Sequence, residues 1–476
     1  MQVKQAHALV QATATNKKSL AAAIKGIEIS GCTNLSGGLF QGISMQLQSR
    51  PVANGQPSLA SELNGAPPTA PAEDWDMVER ADDGSAAEAN GKPTKTVRSV
   101  FLFTDGLPTD GIRDPQTMKG ALKKLLAASG TDLKIHSFGF GSDHDPVLLQ
   151  SISDAGNGTY YYVATEENIA EAFADALGGL LSVVAQNVEL RITPTVGCTL
   201  SALDNGLQER YEGADLIISL ADLYAEEAKD VVVIVVLTAI EGENASFGAA
   251  SVCVSYMDIV NGELVERSMP LTLSRVAPPI PTVPPHPQVA LHRARLATAA
   301  ALRDAVFLAD KGDNADAHAL LCGQLQALHV DFTETASSEL DDEFEAKHFL
   351  LRDLESCAEL VKNAEVYRSS GSAYTRAACK RHAYQRSNAL PMPPPTAAPK
   401  GKFVSKLHRR RGRAAAVAAD DQCPVGAAMR VACDMPDELE GASALPLKQA
   451  NLYATRNQAV LVSESKKHVT GETADT

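Results

Sequence analysis

The sequence predicts an α/β protein with a doubly wound, mostly parallel sheet, followed by an antiparallel β-sandwich and a small helical bundle. Three observations point there. The run Ser99-Val-Phe-Leu-Phe-Thr-Asp-Gly106 is apolar enough for a strand buried on both faces, and it ends in a tight turn that leaves Asp105 at its carboxyl tip. Strand and helix patterns then alternate across short loops as far as residue 186, which calls for a parallel sheet with helices on both faces. Beyond that the period becomes one of short strands over 187–275 and is helical throughout 288–388.

In chain order, residues 1–48 carry a β-prone piece around Ala8-Leu-Val10 and a helix over 16–27 with Leu20, Ile24 and Ile27 at helical spacing. A Gly-rich turn at 31–38 follows. Asn34 or Ser36 then caps a helix with Leu39, Ile43 and Leu47 on one face. Over 49–96 the composition shifts to Pro, Gly, Ala, Ser and acids, a segment that cannot bury apolar surface and is expected to be a disordered insertion. It holds Trp75 and Asp83-Gly-Ser85, whose likeness to a metal loop is superficial because no apolar strand precedes it.

Past Asp105, the pairs Asp114-Pro115 and Asp145-Pro146 each read as an N-cap followed by proline at the first helical position. Between and after them lie strands over 132–139 and 158–163, and a helix over 167–184 closes the unit. Five strand patterns occupy 188–192, 215–220, 231–237, 249–256 and 264–273, with Gly, Asn or acidic turns between them. Residues 276–287 form a stiff Pro-rich linker. The helices of 288–388 are joined by short turns such as Lys311-Gly-Asp-Asn314 and are expected to pack antiparallel. Residues 389–476 read as a disordered tail containing a basic stretch at 400–413.

Bulk properties narrow the function classes. A chain of 476 residues with 45% hydrophobic content supports two or three domains and at least one sizeable core. A net charge of -15 argues against a nucleic-acid surface over the whole molecule, leaving the basic stretch of the tail as the one local candidate for nuclear import or acidic partners. Eight cysteines without a C-x-x-C pair read as reduced thiols, not a disulfide framework or zinc module. The amino terminus lacks the order of a signal peptide, and no apolar run approaches the roughly 20 residues of a spanning helix. A cytoplasmic or nuclear protein is expected.

In an open parallel sheet, ligands bind at the carboxyl tips of the strands, so Asp105 is the leading site residue and Thr33, in the Gly-rich turn, its most plausible partner. Asp143, His144 and Asp145 form a second cluster, for which Asp145 as a helix cap is the simpler reading. No nucleophile, base and orienting group are recognisable together. A hydrolase built on His136 or His144 is the weakest alternative, because neither has a serine or cysteine in a nucleophile motif.

Four stretches in order resemble the von Willebrand factor A (VWA) domain, in its intracellular eukaryotic branch with a helical region after the domain: residues 31–39, 101–106, 138–145 and 172–187. Residues 222–227 and the helices of 288–388 look like that branch's sandwich and helical extension. The resemblance implies a metal-ion-dependent adhesion site, in which a divalent cation, usually magnesium, is completed by an acidic side chain of a protein partner. Thr33 matches the threonine of its second loop and Asp105 the aspartate of its third; hard oxygen ligands of this kind suit magnesium. The first loop, Asp-x-Ser-x-Ser, would lie ahead of Met1, so an N-terminally truncated domain, or one that has lost its metal, is expected. The leading expectation is therefore a non-enzymatic interaction module, and the alternative is a non-RING fragment or relative of a plant-type VWA-containing RING ubiquitin ligase.

Overall fold

The computed structural model describes residues 5–27, 33–48, 96–202, 206–238, 244–275, 285–334, 341–388 and 453–470. Strands β1 (Arg98–Thr104), β2 (Leu133–Phe140) and β3 (Tyr160–Val163) form a parallel sheet in that order, with Phe101 opposite His136 and Ser137 opposite Tyr160. Alternation sends Leu102, Ile135, Tyr160 and Tyr162 to one face and Phe101, Phe138, Tyr161 and Val163 to the other. Helices α2 (Leu35–Gln48), α3 (Pro115–Ser129) and α4 (Pro146–Ala155) share the first core through Leu39, Ile43, Met118, Leu122, Leu148 and Ile152. All six are fully buried, each contributing about 1.5–3 kcal/mol. Helix α5 (Glu167–Leu181) covers the second face with Ala172 and Ala176.

Local chemistry accounts for the helix ends. Asp114 accepts the Thr117 N–H at 2.7 Å and Asp145 those of Val147 and Leu148 at 2.9 and 3.0 Å, each with proline at the first helical position. Helix α1 (Ala14–Lys25) buries no residue, and the β-prone piece at residues 8–10 forms no strand, its Leu9 and Val10 exposed. Helix α5 stops at Leu181 instead of running to Val184. Ser182 Oγ donates to the carbonyls of Gly178 and Gly179, and its own carbonyl accepts from Ala225 N at 2.7 Å, so the chain passes directly into a strand.

That strand, β4 (Val183–Pro194), is central in a five-stranded antiparallel sheet ordered β10-β9-β4-β7-β6. The other strands of the sheet are β6 (Gln208–Glu212), β7 (Asp215–Tyr224), β9 (Asn244–Asp258) and β10 (Glu263–Arg275), of which β7 and β9 pair with β4. A separate ribbon of β5 (Cys198–Ala202) and β8 (Val233–Leu237) packs Leu200 and Val233 against Ile192, Leu216, Ile218 and Ala250 of the sheet. Helices α6 (Pro287–Lys311), α7 (Asn314–Glu334), α8 (Asp341–Val361), the short α9 (Ala364–Val366) and α10 (Ser372–Tyr384) follow, with a π-helical turn at Tyr367–Gly371. Their buried Leu302, Leu321, Leu354 and Ala377 belong to the same continuous core as the first face of the parallel sheet.

Within the segment read as a disordered tail, Arg456–Thr470 forms a further helix, α11, packed on α5. Gln458 Nε2 donates to the Asp175 carbonyl at 3.2 Å, and a Cβ on Gly178 would lie 2.9 Å from Gln458 Cα, so the close approach requires that glycine. The rest of the expected tail, including the basic stretch at 400–413, lies outside the described residues, as do Gly31, Cys32, Trp75, Asp83, Ser85 and most of the Pro-rich linker.

The stretch from Arg381 to Asn388 joins the parallel sheet, the antiparallel sheet and the helices. Arg386 donates from Nε and Nη2 to the two Glu227 carboxylate oxygens, both at 3.2 Å, and from Nη2 to the Asp222 carbonyl at 2.7 Å; its guanidinium lies over the Tyr224 ring. Lys229 Nζ is 2.6 Å from Glu227 and donates to the Tyr384 and Gln385 carbonyls. Arg295 donates to the carbonyls of His382 and Asp230, Asp353 pairs with Arg381 and His382, and Ser387 donates to Asp175 at 2.6 Å. Burial alone would raise the Glu227 carboxyl, but Arg386 and Lys229 overcome it and hold it down at about 2.

Two outcomes follow from this network. Glu227→Gln leaves two cations buried without their carboxylate and is expected to cost about 3–5 kcal/mol, measured as a lower urea midpoint at unchanged slope. Burial pushes the Asp175 carboxyl from 3.8 up to about 6, with the Ser387 and Tyr161 hydroxyls opposing part of the rise. At this group the folded state then binds more protons than the unfolded state across that interval, so the contribution of Asp175 to stability is fully present below it and is lost as pH rises through it, by about 3 kcal/mol in all. Denaturation of the wild type and Asp175→Asn at about pH 4 and pH 7 checks this, the substituted chain losing less on going up.

Candidate functional site

The carboxyl ends of β1, β2 and β3 open onto one groove, lined by Phe103, Thr104 and Asp105, by Phe140 and Gly141, and by residues 163–166 with Ile169 of α5. Phe103 is 42% exposed although it lies in a strand interior by sequence. Its ring stacks on Phe138 at 4.5 Å between centroids, and on Phe173 and Phe140 at 5.8 and 6.0 Å. Among the described strands, β1 pairs only with β2. On its other side lies α2, whose Gln46 donates to the Ser99 carbonyl at 3.2 Å.

Asp105 is exposed in the turn that leaves β1, where the Thr104 hydroxyl bonds both ends of Gly106. Thr33 is half-buried, and its backbone makes its contacts. Its N–H donates to Thr109 Oγ1 at 2.8 Å, and its carbonyl accepts from the N–H groups of Thr109 and Asp110 at 2.9 and 3.2 Å. The segment before α2 is thus tied to the loop after β1, four to five residues beyond Asp105. Neighbouring groups complete the tie: Asn34 Oδ1 caps α2 through Gly37 N, Asn34 Nδ2 donates to Asp110 Oδ2 at 3.4 Å, and Ser36 Oγ accepts from Ile112 N at 3.0 Å.

The fit of these groups to magnesium is poor. The ion demands near-octahedral oxygen coordination, and the groove is lined by Asp105, Thr165 and Glu166 but not by Thr33. The nearby Asp110 carboxylate accepts from Gly111 N and Asn34 instead. Among the described residues no group of three or more His, Cys, Asp or Glu side chains could hold a metal. The second cluster diverges in the same way: Asp145 caps α4, Asp143 accepts from Ser142, and the His144 ring turns inward with Nε2 2.7 Å from Tyr160 Oη. His136 is buried, with Nδ1 accepting from Thr159 N, and burial pushes its imidazole down to about 3. Neither histidine is hydrogen-bonded to a serine or cysteine side chain.

The groove's aromatic floor was not anticipated from sequence. Reading 99–104 as a strand buried on both faces hid Phe103, although Phe101-x-Phe103 alternation places both rings on one face. Nothing in the sequence signals the bonds of Thr33 to Thr109 or of Asn34 to Asp110, which span 76 positions.

A parallel sheet with helices on both faces and loops converging at its carboxyl edge is an open α/β fold. The family model described as von Willebrand factor type A domain matches residues 65–162. Uncharacterized protein YfbK of Escherichia coli (strain K12) is 29% identical over 97 residues, which are 20% of this chain and 16% of that protein. The chain therefore spans about a sixth of the length of this bacterial relative. Among solved structures, von Willebrand factor type A from Catenulispora acidiphila aligns with a TM-score of 0.47 and 15% identity over 71% of this chain and 68% of that one. The ArnB paralog VWA2 from Sulfolobus acidocaldarius aligns with a TM-score of 0.33 and 17% identity over 59% and 63%.

Gly111 tests the tie between the two loops. Its φ is +80°, and an added Cβ would lie 2.1 Å from Ser36 Oγ and 2.7 Å from Asn34 Oδ1. Gly111→Ala is expected to cost about 1–3 kcal/mol in thermal denaturation and to speed amide exchange at Thr109 and Asp110.

Proposed function

We propose that this chain is a non-enzymatic protein-interaction module of the VWA type that engages its partner at the carboxyl edge of the parallel sheet. The observation that carries this reading is Phe103, a ring held rigid by an aromatic stack yet 42% exposed at the lip of an open groove. The exposed carboxylates of Asp105 and Glu166 stand on the same groove. Such a surface suits an apolar anchor with a basic side chain beside it. An acidic partner residue joined through magnesium needs Thr33 and Asp105 on one ion, and the groove that Asp105 lines does not include Thr33, so binding independent of metal is the better reading.

In this reading the five-stranded sheet with its ribbon is the sandwich, and α6 to α10 the helical extension, of the intracellular branch whose motifs the sequence resembles. The described cysteines Cys198, Cys253, Cys322, Cys357 and Cys379 are free thiols, which supports a reducing compartment such as cytoplasm or nucleus. No described helix is long and apolar enough to cross a membrane. His136 and His144 serve the core, which supports a non-catalytic role. The ligase alternative has no observation in its favour.

Affinity capture with the full chain, alongside Asp105→Lys and Phe103→Ser, tests the proposal with magnesium and with a chelator. Partners retained in the chelator and lost by both variants are expected. Capture that the chelator abolishes would establish the metal-bridged mode, and capture unchanged by either substitution would remove the groove from the function.

A further inference from the structure

At the opposite end of the parallel sheet, where the chain enters β3, a small cavity of about 50 Å³ lies between β3, β7 and the carboxyl end of α10. Cavities at the meeting of separate layers are where small ligands are most often held. Leu207, Leu220 and Ala221 supply apolar wall, while Lys229, Lys380, Arg381 and Arg386 bring four cations to it. Three carboxylates answer them: Asp154 pairs with Lys380, Asp353 with Arg381, and Glu227 serves both Lys229 and Arg386. Asp222 also acts on the Arg386 charge, so the surplus on this wall is one of N–H donors.

Donor accounting locates that surplus. Lys229 directs its three N–H groups to Glu227, Tyr384 and Gln385. Arg386 uses Nε and Nη2 on Glu227 and the Asp222 carbonyl, which leaves both N–H groups of Nη1 without an acceptor among the described residues, in a side chain only 12% exposed. Lys380 bonds Asp154 at 2.9 Å and reaches the Tyr384 hydroxyl only at 3.5 Å, so a third N–H remains. The Ser219 hydroxyl, on the β7 wall, has no hydrogen-bond partner among the described residues. The β4–β7 register slips at Ala221, whose φ of +59° places a non-glycine residue in the left-handed region on the cavity wall. Irregularities of this kind re-aim strand residues next to sites.

We propose that this cavity binds a small oxyanion, a carboxylate or phosphate group, through Arg386 Nη1 and Lys380, with the apolar wall taking any carbon body. A buried guanidinium with one nitrogen, Nη1, still to be bonded is suited to such a ligand, and each charge-assisted bond is about twice as strong as a neutral one. Asp154 is the one carboxylate on the wall, and Lys380 neutralises it.

The full chain is titrated with inorganic phosphate and with butyrate against chloride at matched ionic strength, by calorimetry and thermal denaturation. Saturable binding and a raised midpoint with at least one of the two, absent with chloride, are expected, and the two arms tell which oxyanion fits. Lys380→Met should weaken binding about tenfold or more, the loss of one charge-assisted contact. Ser219→Leu, which fills the cavity without touching a charge, should abolish it. Absence of saturable binding to both anions, or equal affinity in the wild type and Lys380→Met, overturns the proposal. Because Lys380 is partly exposed, that variant decides the matter even if Ser219→Leu does not fold.

Discussion

Glu227 is the point on which three parts of the chain depend. Its carboxylate is all but sealed from solvent and is shared by Arg386, which arrives from beyond the last of the α6–α10 helices, and Lys229, which lies between β7 and β8. Burying any one of these charges alone would be costly, and their mutual attraction offsets that cost only in the assembled geometry. The Tyr224 face and the Asp222 carbonyl complete the receptacle for the guanidinium. The motif at 222–227, part of the family resemblance, therefore has a structural explanation here as the socket for Arg386.

That socket sits at the amino end of the parallel sheet, and the aromatic groove at its carboxyl end. The separation lets one end be rigid while the other stays accessible. Phe103 is exposed because the groove lies at the ends of the strands, where α5 covers Phe138 and Tyr161 but leaves the last ring half open. Thr33 contributes by bracing the loop after Asp105 through its backbone, which is a positioning role independent of any ion.

Local chemistry was legible in the sequence and long-range polar chemistry was not. The apolar runs at 99–104, 132–139 and 158–163 revealed all three parallel strands, and Asp114-Pro115 and Asp145-Pro146 revealed two helix starts. Strands β5 and β6 were missed because Cys-Thr-Leu-Ser-Ala and Gln-Glu-Arg-Tyr-Glu are short and carry little apolar alternation. Val183 and Val184 continued the apolar face of α5 so well that only the Ser182 hydroxyl, closing on two carbonyls, marks its end. The junction at 381–388 escaped because lysines, arginines and glutamates read singly as solvated surface. Their pairing across some 155 positions is a property of the fold.

The docking of α11 has a consequence of its own. Because it belongs to the same chain, this helix meets α5 as an internal ligand, and its binding is independent of protein concentration. Tyr453 against His382, Gln458 against Asp175 and Lys466 against Glu171 give it three polar anchors. Any outside molecule seeking that face of α5 must displace an occupant that never diffuses away, so modest affinity suffices to keep the face closed to competitors.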